Sequence, residues 1–259
     1  MNKELEEKYL NVIEDNVNVG KRSDGKEFLI LLGGLIGFCL LVFMFADSIA
    51  NIVIDNISYK TQVKIENAIS FNKPYKYKKS DNIIQLEKIR DNIISIDKKL
   101  QIKPNFPINI IEEKNINAFI YPDGSIYVTS GLLKEIKDEE ILTFVIAHEL
   151  GHYRHRDHLK GISRDLIAAS IMSILTFGQN DIKVTVNNIS NLTGLKYTRN
   201  QEKAADKYAN KISYILYGRN SGAIKFFKYL DSKENTPEFL YYFSTHPSTK
   251  ERLKLLQNK

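Results

Sequence analysis

Read for hydrophobic periodicity alone, the chain divides into one unbroken apolar run, several amphipathic stretches and three short alternating ones. Phe28–Ala46, FLILLGGLIGFCLLVFMFA, holds nineteen residues without a charge. As a helix it is roughly 28 Å long, close to the hydrocarbon core of a bilayer, and it predicts a membrane span rather than a buried core helix. Ser48–Ser70 continues with Ile49, Ile52, Val53, Ile57, Val63 and Ile65 and predicts a helix leaving the membrane. Asp81–Leu100 carries Ile83, Ile84, Leu86, Ile89, Ile93, Ile94, Ile96 and Leu100 at helical spacing. It predicts an amphipathic helix that opens the folded domain and is stopped by Pro104 and Pro107. Ile108–Glu112, Ala118–Tyr121 and Ser125–Thr129 read as strands, and Pro122-Asp123-Gly124 predicts a hairpin between the last two. Leu132–Ile136 predicts a short helix.

The next stretch, DEEILTFVIAHELGHYRHRDH from Asp138 to His158, organises the rest. Asp138 suits an N-cap, and Glu139 and Glu140 suit the positive end of the helix dipole. Ile141, Leu142, Val145, Ile146 and Leu150 recur at three- and four-residue spacing and predict one buried stripe. Leu166–Phe177, LIAASIMSILTF, is too short for a full second span and predicts a buried or membrane-leaning helix. Gly178–Thr193 is polar and Asn-rich and reads as a loop or short helix over a cleft. Leu195–Tyr217 is helical again. A short helix is also expected around Glu4–Ile13.

Composition adds orientation more than class. With 43% hydrophobic and 26% charged residues in 259, the chain is long enough for one sizeable globular domain and an anchor. The net charge of +6 is spread along the chain apart from Lys73–Lys79. That spot reads as a solvated linker rather than a nucleic-acid surface. The single Cys39 excludes an internal disulfide framework. Lys21, Arg22 and Lys26 precede the apolar run, whereas Asp47 and Asp55 follow it, with no Lys or Arg before Lys60. The positive-inside rule then puts the N-terminal tail in the cytoplasm and the bulk of the chain outside. A cleaved signal peptide fits poorly, because the tail is long and acidic as well as basic, and Phe38 before Cys39 spoils a lipoprotein site. The expected organisation is a tail (1–27), a single-pass anchor (28–46), a juxtamembrane helix with a basic linker (47–80) and a folded domain (81–259).

The chemistry sits in His148-Glu149-Leu150-Gly151-His152. On a helix the two histidines are one turn apart and can share a metal ion, with Glu149 beside them as general base. A catalytic zinc site takes a third protein ligand and leaves one position for water. His155 could lean toward the metal, and His158 is about 15 Å from His148 along the axis, out of reach. Downstream, Arg199, Glu202 and Asp206 lie at i, i+3 and i+7 on one helical face, with Ala204, Ala205 and Ala209 small enough for close packing. Glu202 could be the third ligand and Asp206 an acceptor behind an imidazole. A solvated face with an Arg199–Glu202 pair is the alternative. His246 precedes an S-x-x-E capping box, Ser248 to Glu251, on a turn before a helix.

HELGH together with the ExxAD core in Arg199–Asp206 resembles the M48 family of zinc metallopeptidases. Asn117-Ala118-Phe119 with Gly124–Leu133, Arg156-Asp157, and Thr245-His246-Pro247-Ser248 with Arg252 resemble further stretches of that family, in the same order. Within it the closer resemblance is to the single-pass, Oma1-like quality-control branch. The multi-span prenyl-protease and HtpX-type branches fit less well, because one span is evident. The resemblance implies an α+β, mostly α-helical zincin-like metallopeptidase domain with a small β-sheet, preceded by one transmembrane helix. It implies one Zn2+ per subunit held by His148, His152 and Glu202, Glu149 as general base and His246 on the oxyanion side. Asp206, Arg252 and Arg199 would support the site, and Asn117, Ala118 and Phe119 would meet substrate. Expected partners are unfolded or membrane-associated polypeptides and the lipid bilayer, with no nucleic acid. The rival from another class is a membrane-tethered chaperone-like binding module with a structural zinc site.

Overall fold

The computed structural model describes residues 3–7, 25–68, 76–78, 80–102, 105–176 and 197–233, with Tyr242, His246 and Arg252. The expected loop at 178–193 and the box from Ser248 to Glu251 lie outside the described residues. Of the helix expected around Glu4–Ile13, the described part is helical over residues 3–7. The chain divides into two compact units, Met1–Phe45 and Ala46–Lys259.

The main element of the first unit is α1, Gly25–Met44. Among the described residues it is the one helix long and apolar enough to cross a membrane. It starts ahead of the expected Phe28 because Gly25, Lys26 and Glu27 form a polar first turn. Phe28, Leu29, Ile30 and Leu31 are all exposed, a contiguous apolar surface of the kind that marks a contact with something other than water.

The second unit opens with α2 (Ala46–Asn56) and α3 (Tyr59–Ala68), where the pattern predicts one continuous helix. The break falls at Ser58, whose hydroxyl accepts the N–H of Thr61 at 3.1 Å and so starts a new helix. α4 (Asn82–Ile96) buries Leu86, Ile89 and Ile93. A 3-10 turn follows at Leu100–Ile102.

Three strands, β1 (Ile108–Ile111), β2 (Ala118–Ile120) and β3 (Ile126–Thr129), form a sheet in the order β1-β3-β2. β2 and β3 are the expected antiparallel hairpin, with Ala118 opposite Val128 and Ile120 opposite Ile126. Gly124 takes φ = +80° in the turn, and the Asp123 carboxylate accepts the N–H of Ser125 at 2.9 Å. β1 runs parallel to β3. Its outer edge is taken by residues 76–78, where Lys78 N–H donates to the Ile110 carbonyl and Glu112 N–H to that of Lys76. Residues 76–78 of the basic stretch are thus hydrogen-bonded to β1 while remaining exposed. β2 is the strand at the opposite edge of the sheet.

α5 (Ser130–Glu135) follows β3 directly and is capped by the Thr129 hydroxyl. Gly131 is needed at this corner, because a Cβ there would sit 2.1 Å from the carbonyl oxygen of Lys114. α6 (Glu139–Arg154) is the centre of the unit, with Asp138 accepting the N–H groups of Glu140 and Ile141 as the expected N-cap. Every residue from Ile141 to Tyr153 is buried, so this helix is enclosed on all faces rather than along one stripe. α4, β2, α8 (Arg199–Tyr217) and α9 (Ser221–Ser232) surround it.

α7 (Asp157–Leu175) leaves α6 at a tight corner where Arg156 adopts φ = 59°. The apolar segment expected from Leu166 is thus the second half of a longer helix. α7 lies antiparallel on α2. The Arg156 guanidinium donates to the carbonyls of Ile54 and Ile57 at 2.7 and 2.9 Å, satisfying the C-terminal end of α2. Lys160 pairs with Asp55 at 2.8 Å and Arg164 with Asp47 at 2.9 Å. Buried Glu66 of α3 accepts from Gln62 and from the Tyr153 hydroxyl, and lies 3.4 Å from His158 Nε2. These contacts tie α2 and α3 to α6 and α7 within the second unit.

Candidate metal centre

His148 and His152 point the same way from α6, and their Nε2 atoms approach to 3.1 Å. α8 brings Glu202 beside them, with Oε2 3.6 Å from His148 Nε2 and Oε1 3.4 Å from His152 Nε2. This approach depends on small residues. A Cβ at Gly151 would lie 3.2 Å from the Ala205 Cα and 3.1 Å from the Tyr208 ring. Thr198 and Gln201 form a reciprocal capping box, which starts α8 so that Glu202 falls in its first turn. His246 reaches the same point, its Nδ1 3.0 Å from Glu202 Oε1 and 3.4 Å from His148 Nε2. Donor atoms of His148, His152, Glu202 and His246 all lie within 4.8 Å of one another, and all four residues are buried.

Each helix histidine is held from behind. His152 Nδ1 lies 2.9 Å from Asp157 Oδ2, and His148 Nδ1 lies 3.0 Å from Asp206 Oδ1. At His152 this is a hydrogen bond, and a carboxylate in that place favours the proton on Nδ1 and presents Nε2 to a cation. Arg252 in turn donates to Asp206 from Nε and Nη2 at 2.6 and 2.7 Å, and its Nη1 lies 2.7 Å from Glu202 Oε2. Its guanidinium rests over the Phe227 ring.

Charge explains the protonation of the group. Burial would raise Glu202, yet His246 and Arg252 hold it well below the usual carboxylate range. Burial is likewise overcome at Asp206 by Arg252. At Glu149 burial prevails, raising its carboxyl although His246 Nε2 lies 3.7 Å away. Glu149 Oε2 has no hydrogen-bond partner among the described residues. Burial pushes His148 down to about 4, whereas at His152 it is outweighed by Asp157 and Glu202, which lift it to about 10. The buried carboxylates of Glu149, Asp157, Glu202 and Asp206 thus gather with the Arg252 guanidinium around the buried imidazoles of His148, His152 and His246. Such a set of buried ionisable groups converging on one point is the setting of a bound cation. Imidazole nitrogens with one carboxylate are a donor set that suits zinc.

The other expected residues fall as follows. Arg199 is exposed in the first turn of α8, and the pairing with Glu202 that its spacing allows is made by Arg252 instead. His155 lies outside the donor cluster, its ring 6.2 Å from that of Tyr208. Asn117 and Ala118 are buried where β2 begins, and the Phe119 ring stacks on Tyr127 at 5.2 Å. Spacing gave no role to Asp157 or to Tyr197, whose ring stacks on His152 at 3.7 Å and 9°. Asp157 lies beyond the end of α6, and the turn that carries it back toward His152 has no periodic signal.

Comparison with known proteins agrees with this site. The model of peptidase family M48 matches residues 84–259. The mitochondrial metalloendopeptidase OMA1 of Arabidopsis thaliana is 32% identical over 59% of this chain and 31% of its own length. A Protease HtpX homolog of Campylobacter concisus is 28% identical over 64% of this chain and 73% of its own. OMA1 of Homo sapiens is 24% identical over 59% of this chain and 32% of its own. The chain thus spans about a third of the length of these two OMA1 relatives. The family match covers the sheet, α6 with its histidines and α8 with Glu202, and the chain belongs to peptidase family M48.

Proposed function

We infer that the protein is a membrane-anchored zinc metalloendopeptidase that hydrolyses peptide bonds of misfolded or membrane-associated proteins. The observation that carries this reading is Glu149, a buried carboxylate with an unpartnered oxygen beside a converging set of His148, His152 and Glu202 donors. His148, His152 and Glu202 would hold the zinc. When bound, the ion supplies Lewis acidity and a lowered pKa for the attacking water. Glu149 takes the proton from that water and passes it to the leaving amine. Its raised pKa brings it nearer the operating pH, where a general base is most effective. His246 donates to the oxygen of the scissile carbonyl. Asp157 and Asp206 orient the imidazoles, and Arg252 keeps Asp206 and Glu202 ionised.

The position of β2 at the edge of the sheet supports an extended substrate held by backbone hydrogen bonds alongside Asn117, Ala118 and Phe119, the physics of strand addition. β3 is central in the sheet and cannot serve this way. α1 supports anchoring, and the charges around it support a cytoplasmic N-terminus with the catalytic unit on the other side.

The test is Glu149→Gln in the full chain, assayed on casein with bound zinc quantified. Loss of hydrolysis with zinc retained is expected, and retained hydrolysis would remove Glu149 as the base. The chaperone-like reading predicts no effect of Glu149→Gln on function in cells. One observation favours a second reading of the resting state. His246 supplies a fourth donor atom to the cluster, so it could close the position that substrate needs until it swings away.

A further inference from the structure

The two halves of the metal centre come from α6 and α8, and one aromatic ring stands between them. Tyr197 is the residue before Thr198, the N-cap of α8. It is buried, and its ring lies face to face with that of His152, the centroids 3.7 Å apart and the planes 9° from parallel. The same ring is 5.7 Å from that of His246, inclined at 37°. It therefore meets two of the four residues whose donor atoms converge. No step of the chemistry above uses it.

Helix capping explains how the ring gets there. The residue before an N-cap often packs on the fourth residue of the helix, an apolar pair that sets the angle at which the chain enters. In α8 that fourth residue is Glu202, since Gln201 is the third. Its carboxylate is turned to His152, His246 and Arg252, so it offers a phenol ring no apolar partner. The ring packs on His152 instead. A staple that ordinarily closes within one helix here closes between two. Its first position covers a face of the imidazole, and its second places a carboxylate 3.4 Å from the Nε2 atom of the same ring.

The two neighbours of His152 do different work. Asp157 meets Nδ1 in the plane of the ring and resists its sliding. A flat surface against the face resists tilting. A zinc ion takes an imidazole nitrogen along its lone pair at about 2.0–2.1 Å, so tilt decides whether the donor is aimed. Tyr197 does this as a neutral ring. Burial, with Glu149, Asp157 and Glu202 adding to it, holds the phenol pKa well above its ordinary value.

We propose that Tyr197 is a positioning residue that fixes the plane of the His152 imidazole and ties the entry of α8, and with it Glu202, to that ligand. The ring makes two ligands from separate helices move as one. This rests on the reading of the centre as a zinc site, and the experiment separates the two.

Tyr197→Phe keeps the flat ring, and Tyr197→Leu keeps bulk without it. Zinc affinity of the full chain and both variants is measured against a competing chelator. The visible spectrum of the cobalt-substituted proteins reports ligand geometry, and thermal unfolding of the metal-free proteins checks the fold. Tyr197→Leu should lose about 10-fold in zinc affinity, the lower end for a group that orients a ligand imidazole, and its cobalt bands should shift. Tyr197→Phe should match the parent in both. If Tyr197→Leu does not fold, Tyr197→Met takes its place under the same criteria. Parental affinity and bands in Tyr197→Leu would overturn the proposal while the zinc reading stands. So would weaker binding with parental bands, which is the mark of general packing, or equal losses in both variants, which would transfer the role to the hydroxyl. A parent that binds no zinc would overturn the zinc reading and the proposal with it.

Discussion

Asp157 Oδ2 lies 2.9 Å from His152 Nδ1, although the two residues belong to different helices joined by a tight corner. The corner is held by Arg156 at φ = 59°, a conformation that most side chains avoid. It turns the chain so that the first residue of α7 faces back onto the last turns of α6. Asp157→Ala should lower zinc affinity about 10- to 100-fold, the usual effect of losing a carboxylate behind a ligand imidazole. Titration against a competing chelator would measure it, and an unchanged affinity would sink the role.

Arg252 is buried with two carboxylates on its guanidinium. Removing one side of such a network leaves charge uncompensated in the interior. Arg252→Met should therefore destabilise the metal-free protein by about 3–5 kcal/mol. Urea unfolding of the two proteins side by side is the measurement. A difference below about 1 kcal/mol would mean that water already neutralises the site.

His246 is the residue whose role can be read in two directions. As the donor to the developing oxyanion, its loss should lower kcat about 100-fold, as for other donors of that kind. His246→Ala is expected to do this while keeping the fold, because its backbone N–H bond to the Tyr242 carbonyl does not involve the ring. A rise in basal hydrolysis would instead make the imidazole a gate.

Asp138 links the stability of α6 to pH. Burial opposes its ionisation, but Lys225 and the N–H groups of Ile141 and Glu140 hold its pKa below the ordinary aspartate value. A depressed carboxylate stabilises the fold above the unfolded pKa of about 3.9 and loses that contribution as pH falls through the lower folded value. Asp138→Ala should cost about 1 kcal/mol near neutrality. The gap between variant and parent should close below about pH 4, and a gap that persisted there would assign the effect to packing.

How much of this was legible depended on whether a signal was periodic. α4, α6 and the hairpin carry local patterns, and their limits fall within a few residues of those expected. HELGH is a local motif as well. Glu202 is distant in sequence, and spacing left it balanced against a solvated pair with Arg199. Gly151 and Ala205 decide the matter physically, because only small residues let α8 come close enough for a carboxylate to reach the histidines. The single helix expected over Ser48–Ser70 failed at Ser58, where a side-chain cap outweighs hydrophobic continuity. The enclosure of α6 on every face was hidden because Thr143, His148, Glu149 and His152 read as polar. Each of them is nevertheless buried. Thr143 meets the Tyr217 hydroxyl at 2.8 Å, and the others face the metal centre.

β2, at the edge of the sheet, is only three residues long. A substrate held along it, as proposed above, would be gripped by its backbone, which every sequence presents alike. A folded protein has its backbone groups already engaged, so it offers nothing to hold. Selection at this edge would therefore be by conformational state rather than by residue identity, and a chain would become a substrate by losing its structure. The shortness of the strand carries a second benefit, since a longer bare edge would invite the protein to pair with itself.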